Sequence, residues 1–199
     1  MATDYLGFKE SLSLGADSVT RVEPPAPATP TIDRIVYANG QKQRSRFIHV
    51  QIYFNTLVNI SKGAFELFLN NKRFVVSSFF ITVQDGHTVA TLQFPSKVLP
   101  FGSLPEGKYR LVTHTTKIKT QQGQAMLHDQ TDTFFRLFGD VNGDGVVNNV
   151  DTTVFKSSYG KRAGQAGYLW YLDYDGNGRI GAVDRHAFQA RLRRCHHAE

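Results

Sequence analysis

A single cysteine, Cys195, lies close to the C-terminus of the 199-residue chain. No disulfide framework can therefore form within it. Scarce cysteine suits bacterial secreted proteins as well as cytosolic ones, so it leaves the compartment open. No run approaches the roughly 18 consecutive apolar residues that a membrane-spanning helix needs. The opening MATDYLGFKESLSLGADSV has no basic segment followed by an apolar one, so no secretory signal is visible in it. Tryptophan occurs once and methionine twice, against 15 phenylalanines. With 41% hydrophobic residues, the composition is that of a folded protein and argues against disorder. The formal charge is +6, but the basic residues are scattered and form no stripe of the kind that tracks nucleic acid. The densest group, Arg191, Arg193 and Arg194, reads as a solvated helix end, where cations also suit the helix dipole.

What is present divides the chain. Residues 1–30 read as a tail and linker, because four prolines fall within Pro24–Pro30 and favour an extended, semi-rigid spacer. Residues 31–138 read as all-β. Short apolar or alternating runs (Ile32–Tyr37, Phe47–Phe54, Ala64–Leu69, Phe74–Val83, His87–Phe94, Tyr109–His114 and Thr133–Phe138) are separated by Asn39-Gly40, Asn70-Asn71, Asp85-Gly86 and Pro105-Glu106-Gly107. Seven or so strands with little helical periodicity predict an immunoglobulin-like sandwich, without the Cys…Trp…Cys pattern of antibody domains. Residues 139–195 change character: Gly and Asp become frequent and two helical stretches appear. Residues 196–199 form a short tail. The join between the two parts is so short that a fixed mutual orientation is expected.

Two twelve-residue segments carry the chemistry. The first runs Asp140–Asp151 and the second Asp173–Asp184, with their starts 33 residues apart. Calcium takes six to eight oxygens at roughly 2.3–2.6 Å, and a twelve-residue loop supplies them from positions 1, 3, 5, 7, 9 and 12. In the first loop those positions are Asp140, Asn142, Asp144, the carbonyl of Val146, Asn148 and Asp151. In the second they are Asp173, Asp175, Asn177, the carbonyl of Arg179 and Asp184, with a water expected where Gly181 lacks a side chain. Gly145 and Gly178 occupy position 6, where the loop turns sharply. The position-8 residues Val147 and Ile180 can pair the loops through a short β-bridge. Two ions are expected, calcium rather than magnesium, because magnesium avoids all-protein cages. Each loop leads into a helical period: Val150, Val154, Phe155 and Tyr159, stopped by Gly160, then Val183, Phe188 and Leu192 in the run Val183–Arg194. A strand, not a helix, precedes the first loop, and position 12 is Asp, not Glu. Both features describe a loop-then-helix F-hand.

The runs Gly139-Asp140-Val141-Asn142-Gly143-Asp144-Gly145 and Asp173-Tyr174-Asp175-Gly176-Asn177-Gly178 resemble the duplicated segments of a type I dockerin. The resemblance covers about 60 residues. It implies a small calcium-folded helical module that docks onto a cohesin domain, commonly in extracellular polysaccharide-degrading assemblies. The FFRLFGDVNGDG junction is similar to bacterial Ig-like-plus-dockerin arrangements in large secreted or surface proteins of planctomycete-like bacteria. In dockerins, loop positions 10 and 11 with 17, 18 and 22 tend to form the cohesin-contacting face. Carried over, these are Asn149, Val150, Lys156, Ser157 and Lys161 in the first repeat, and Ala182, Val183, Gln189, Ala190 and Arg194 in the second.

Other chemistry is weaker. His114, His128 and Asp129 could join a serine in a triad, but no nucleophile-elbow context supports one. His186, His196 and His197 near Cys195 suit a terminal tail better than a soft-metal site. Tyr168-Leu169-Trp170-Tyr171-Leu172 reads as core between the loops, not as a sugar-stacking platform. The resulting expectation is a non-enzymatic, extracellular or cell-surface attachment module that docks a cohesin-like or scaffold partner, with no nucleic-acid partner and no membrane span. A calcium-stabilised cap of a larger surface protein, and an accessory region of a glycoside hydrolase or other secreted enzyme, remain open beside it.

Overall fold

The structure is a computed structural model that describes residues 29–74, 78–94 and 99–193. The expected linker therefore lies, except for Thr29 and Pro30, outside the described residues, as do Arg194, Cys195, His196 and His197. Ten strands precede two helices: β1 Ile32–Tyr37, β2 Val50–Phe54, β3 Val58–Ile60, β4 Phe65–Leu69, β5 Lys72–Phe74, β6 Ser78–Gln84, β7 His87–Gln93, β8 Gly107–Thr113, β9 Ile118–Thr120 and β10 Gln130–Arg136, then α1 Asn149–Ser158 and α2 Ala182–Gln189.

Turn chemistry sets the hairpins. Asn70-Asn71 and Asp85-Gly86 each place two successive residues at positive φ, the two-residue turn whose twist matches that of the flanking strands. The strands form two four-stranded antiparallel sheets, ordered β1-β2-β7-β6 and β10-β8-β4-β5, with a small β3-β9 pair. This is the immunoglobulin-type division of strands. A further mark of that fold is Tyr109 near the start of β8, whose hydroxyl donates to the Pro105 carbonyl at 2.6 Å. The inward faces of the two sheets supply the first core, which includes Phe47, Ile52, Phe54, Leu67, Leu92, Leu111 and Phe134.

Several expected boundaries shift. The run Phe74–Val83 is not one strand. It divides into β5 and β6, which belong to opposite sheets. The sequence offers only Ser77-Ser78 between the two apolar stretches, a weaker turn signal than Gly, Pro or Asn. Regular strand begins at Val50, not Phe47, since residues 43–46 bend around the Gln43 side chain. The last strand ends at Arg136, and β3 and β9 are too short to show a pattern.

His114 is held between acidic partners on both sides of its ring. Its ring bridges two carboxylates, Nδ1 at 2.9 Å from Asp129 and Nε2 at 3.2 Å from Glu66. The Asp129 hydrogen bond, opposed by partial burial and reinforced by Glu66, raises the imidazole above its usual range. A raised folded-state value stabilises the fold below the ordinary histidine range and ceases to do so as pH rises through the folded value. An NMR titration should therefore place the His114 midpoint above 6.5, and Asp129→Asn should bring it down. A midpoint unmoved by Asp129→Asn would remove this assignment.

Past β10 a second core forms from Phe135, Leu137, Phe138, Val147, Phe155, Leu172, Ile180, Ala187 and Phe188. Phe155 of α1 and Phe188 of α2 stack with ring centroids 4.5 Å apart. Leu172 is buried and Tyr168, Leu169 and Tyr171 pack half-buried against the same cluster, so these four serve the core as expected, whereas Trp170 is not one of its members. Successive residues of β10 face opposite sides. Phe134 accordingly belongs to the first core and Phe135 to the second.

The two parts are joined by more than the chain. Arg191 is no solvated helix end: its Nε donates to Glu106 at 2.6 Å, and its guanidinium lies 5.1 Å from the Tyr174 ring centroid. Glu106 also accepts from the Phe138 amide at 2.9 Å. Arg136, only 6% exposed, donates to the Ser45 carbonyl at 2.9 Å. Burial lowers its guanidinium to about 10, with Glu106 opposing the shift.

Candidate calcium loops and docking face

Each loop is organised around its first and last carboxylates. Asp140 accepts from the amides of Gly143 at 2.6 Å and Gly145 at 2.9 Å. Asp173 accepts from those of Asn177 at 3.1 Å and Gly178 at 2.8 Å, and also from the Tyr168 hydroxyl at 2.6 Å. Closing the loop onto its first residue requires the left-handed backbone found at Gly145 and Gly178, φ 85° and 80°. At position 12, Asp151 accepts from Val141 and Asn148 amides at 2.9 and 2.8 Å, and Asp184 from Tyr174 and Gly181 amides at 2.6 and 2.6 Å. The same two aspartates sit in the first turns of α1 and α2, where negative charge suits the helix dipole. Asn148 caps α1, its side-chain oxygen accepting from the Val150 amide at 2.7 Å.

The structure draws the two sets together unequally. Carboxylate oxygens of Asp173, Asp175 and Asp184 lie within 4.8 Å of one another. That spacing suits a calcium ion, whose opposite ligands stand about 5 Å apart. Asp140, Asp144 and Asp151 do not all close to that distance. Asp144 instead accepts from the Asn142 amide group at 2.8 Å and the Val146 amide at 2.9 Å. Asn177 makes the equivalent contact to Asp175 at 2.8 Å. The Val146 and Arg179 carbonyls occupy the position-7 places of their loops.

The donor set fits a hard divalent cation. Asp140, Asp151 and Asp184 are fully buried, and Asp173 is 2% exposed. The ion pairs formed among the described residues include none of the loop carboxylates. Burial first, then the nearby Asp151 and Asp144 charges, pushes the Asp140 carboxyl up to about 6. Asp184 is raised by burial and by Asp175 and Asp173. Burying like charges beside one another without a counterion is costly, and a divalent ion offsets that cost. Calcium would be held by the six first-loop and five second-loop groups identified from sequence.

The loops do not pair with each other through position 8 as expected. Ile180 exchanges backbone hydrogen bonds with the segment after α1, accepting from Gly160 at 2.8 Å and donating to Lys161 at 3.0 Å. The Val147 carbonyl accepts from Arg193, after α2, at 2.8 Å. Each loop thus grips the far end of the other repeat. This explains why α2 stops at Gln189 and not near Arg194: the chain must turn, with Arg193 at φ 68°, to reach Val147.

Nine of the ten predicted partner-face residues lie on the surface. Asn149, Val150, Lys156, Ser157, Lys161, Ala182, Val183, Gln189 and Ala190 are all exposed, and Arg194 lies outside the described residues. Between α1 and α2 runs a mainly apolar groove of about 390 Å³, lined by Lys156 and Gln189 from that set and by Thr152, Tyr159, Arg185 and Leu192, which the carried-over positions miss. Helical spacing places Tyr159 and Leu192 in the apolar periods of their helices but does not assign them to a partner face. Arg185 covers Tyr159, its guanidinium 5.5 Å from the ring centroid.

Two loop–helix repeats built on clustered carboxylates and closing a shared core define a calcium-binding interaction module. Residues 138–193 match the family model of the dockerin type I domain, so this part of the chain is similar to that family. No curated protein matches the chain in sequence. Among solved structures, the S-layer protein rSbsC(31-844) aligns at 15% identity with a TM-score of 0.35, over 54% of this chain and 14% of that one. The chain thus spans about a seventh of that relative. A type II cohesin–X-dockerin complex from Acetivibrio cellulolyticus, Coh3ScaB-XDoc_M1ScaA with a mutated N-terminal interface, aligns at 11% identity with a TM-score of 0.28, over 66% of this chain and 82% of that one. No helix among the described residues is long and apolar enough to cross a membrane.

Proposed function

We propose that residues 139–195 bind two calcium ions and dock, through the α1–α2 face, onto a cohesin-like domain in an extracellular or cell-surface assembly, with residues 31–138 as the presenting domain. The observation that carries this reading is the pair of loops with buried, uncompensated carboxylates beneath an exposed, partly apolar helix face. Calcium would be taken up by Asp140, Asn142, Asp144, Asn148 and Asp151 with the Val146 carbonyl, and by Asp173, Asp175, Asn177 and Asp184 with the Arg179 carbonyl. These residues neutralise the ion, fix the loop ends and set the directions of both helices. The partner would meet Val150 and Val183, 56% and 54% exposed, with the lysines and the groove between them. Polysaccharide-degrading assemblies are the setting that the dockerin family favours.

The test is calorimetric titration of the metal-stripped chain with calcium, followed by circular dichroism. Two binding events with a gain in helix are expected. Saturation at 100 times the dissociation constant adds about 2.7 kcal/mol of stability. Absence of binding at millimolar calcium would overturn the proposal.

A further inference from the structure

One five-residue segment of the β-sandwich, residues 42–46, touches both calcium loops at equivalent places. At position 1, the Arg44 amide donates to the Asp140 carbonyl at 2.8 Å, and Arg46 Nη1 donates to the Asp173 carbonyl at 2.8 Å. At position 4, a Cβ on Gly143 would run into the Lys42 carbonyl, and one on Gly176 would stand 3.3 Å from Arg46 Nη2. Just before each loop, Ser45 Oγ accepts from the Gly139 amide at 2.9 Å and donates to the Tyr171 carbonyl at 2.7 Å. Ser45 is fully buried, so neither contact can be replaced by bulk water.

The segment is itself held rigid. Gln43, 2% exposed, accepts from the Ser45 and Arg46 amides at 2.7 and 3.0 Å and donates to the Arg46 carbonyl at 3.0 Å. Arg46 also donates through Nη2 to the Phe101 carbonyl at 2.6 Å. A guanidinium with several fixed acceptors is pre-oriented, whereas a lone lysine ammonium is not.

We infer that residues 42–46 are a shared outer shell of both calcium sites, with Ser45 and Arg46 as positioning residues that hold the loops in their ion-binding shape. Groups that orient metal ligands without touching the metal commonly contribute 10–100-fold in affinity. Here they come from the neighbouring domain, so ion uptake and the angle between the two parts are one equilibrium. The inference rests on the calcium reading above.

Calcium titration of the full chain beside Arg46→Ala and Ser45→Ala tests it. Arg46→Ala should weaken one site about tenfold and leave the other near its parent value. Ser45→Ala should weaken both sites. Both variants should also show a smaller calcium-induced rise in melting temperature than the parent. A merely structural role would instead lower the melting temperature equally with calcium and with chelator. Arg46→Gln, which keeps two methylenes of the stem and an uncharged amide donor group, serves if Arg46→Ala does not fold. Parent-like affinities within about twofold, or equal losses with and without calcium, would overturn the inference while leaving the calcium reading intact. A parent chain that binds no calcium would overturn both.

Discussion

Replacing Asp173 should abolish calcium binding at the second loop, and the choice of replacement should separate two effects. Asp173 is a proposed ligand and also the acceptor for Asn177 and Gly178 amides and the Tyr168 hydroxyl. Asp173→Ala removes the charge and leaves the Gly178 amide and the Tyr168 hydroxyl without their acceptor, while the Asn177 amide keeps Asp175 at 3.1 Å. Each unsatisfied buried donor costs about 1–3 kcal/mol. The variant should therefore be destabilised even with chelator present. Asp173→Asn keeps one oxygen as acceptor and removes the charge. It should melt near the parent in chelator but gain little from calcium, with second-site affinity down about 100-fold because an uncharged amide replaces a carboxylate at the first ligand position. Melting curves with and without calcium decide the matter. A parent-like calcium gain in Asp173→Asn would take this residue out of the ligand set.

Gly143→Ala should have the largest effect of any single-methyl change in the joint. Gly143 sits at φ 78°, where an L side chain is strained by about 1–2 kcal/mol. Its added methyl would also overlap the Lys42 carbonyl, a backbone atom that cannot rotate aside. Gly164 provides the control, since it lies at φ 87° with open space around its missing Cβ. Gly164→Ala should therefore show the conformational strain alone. Gly143→Ala should add a further loss of about 1–3 kcal/mol, the usual cost of overpacking. Denaturant melting of the two variants measures the difference. Equal losses would mean that the joint yields freely at Lys42.

The loops were the most legible part of the sequence because ion chemistry dictates residue types at set offsets, independent of the surrounding fold. Asp173, Asp175 and Asp184, spread over twelve positions, converge in space as that spacing implies. The hairpins were legible at Asn70-Asn71 and Asp85-Gly86, where positive φ restricts the choice of residue. Residues 42–46, Lys-Gln-Arg-Ser-Arg, carried no such signal. Their contacts lie up to 127 residues away, and a polar surface bend looks the same whether or not something docks onto it. Arg191 was misread for the same reason: a cation near a helix end satisfies the dipole rule, and its pairing with Glu106 depends on the tertiary arrangement. The end of α2 was hidden because Ala190, Arg191 and Leu192 are good helix formers, and the competing pull of Val147 on Arg193 is long-range.

The alternation of β10 bears on where the polypeptide can be divided. Phe134 points into one core while Phe135, Leu137 and Phe138 serve the other. A fragment starting at Gly139 would leave behind three of the nine buried members of its own interior. One starting at Thr133 would carry them along, but as a strand torn from its seven-residue ladder with β8. Neither piece inherits a finished surface. The strand is a party wall, owned by both rooms, and swapping either domain onto another scaffold means rebuilding that wall.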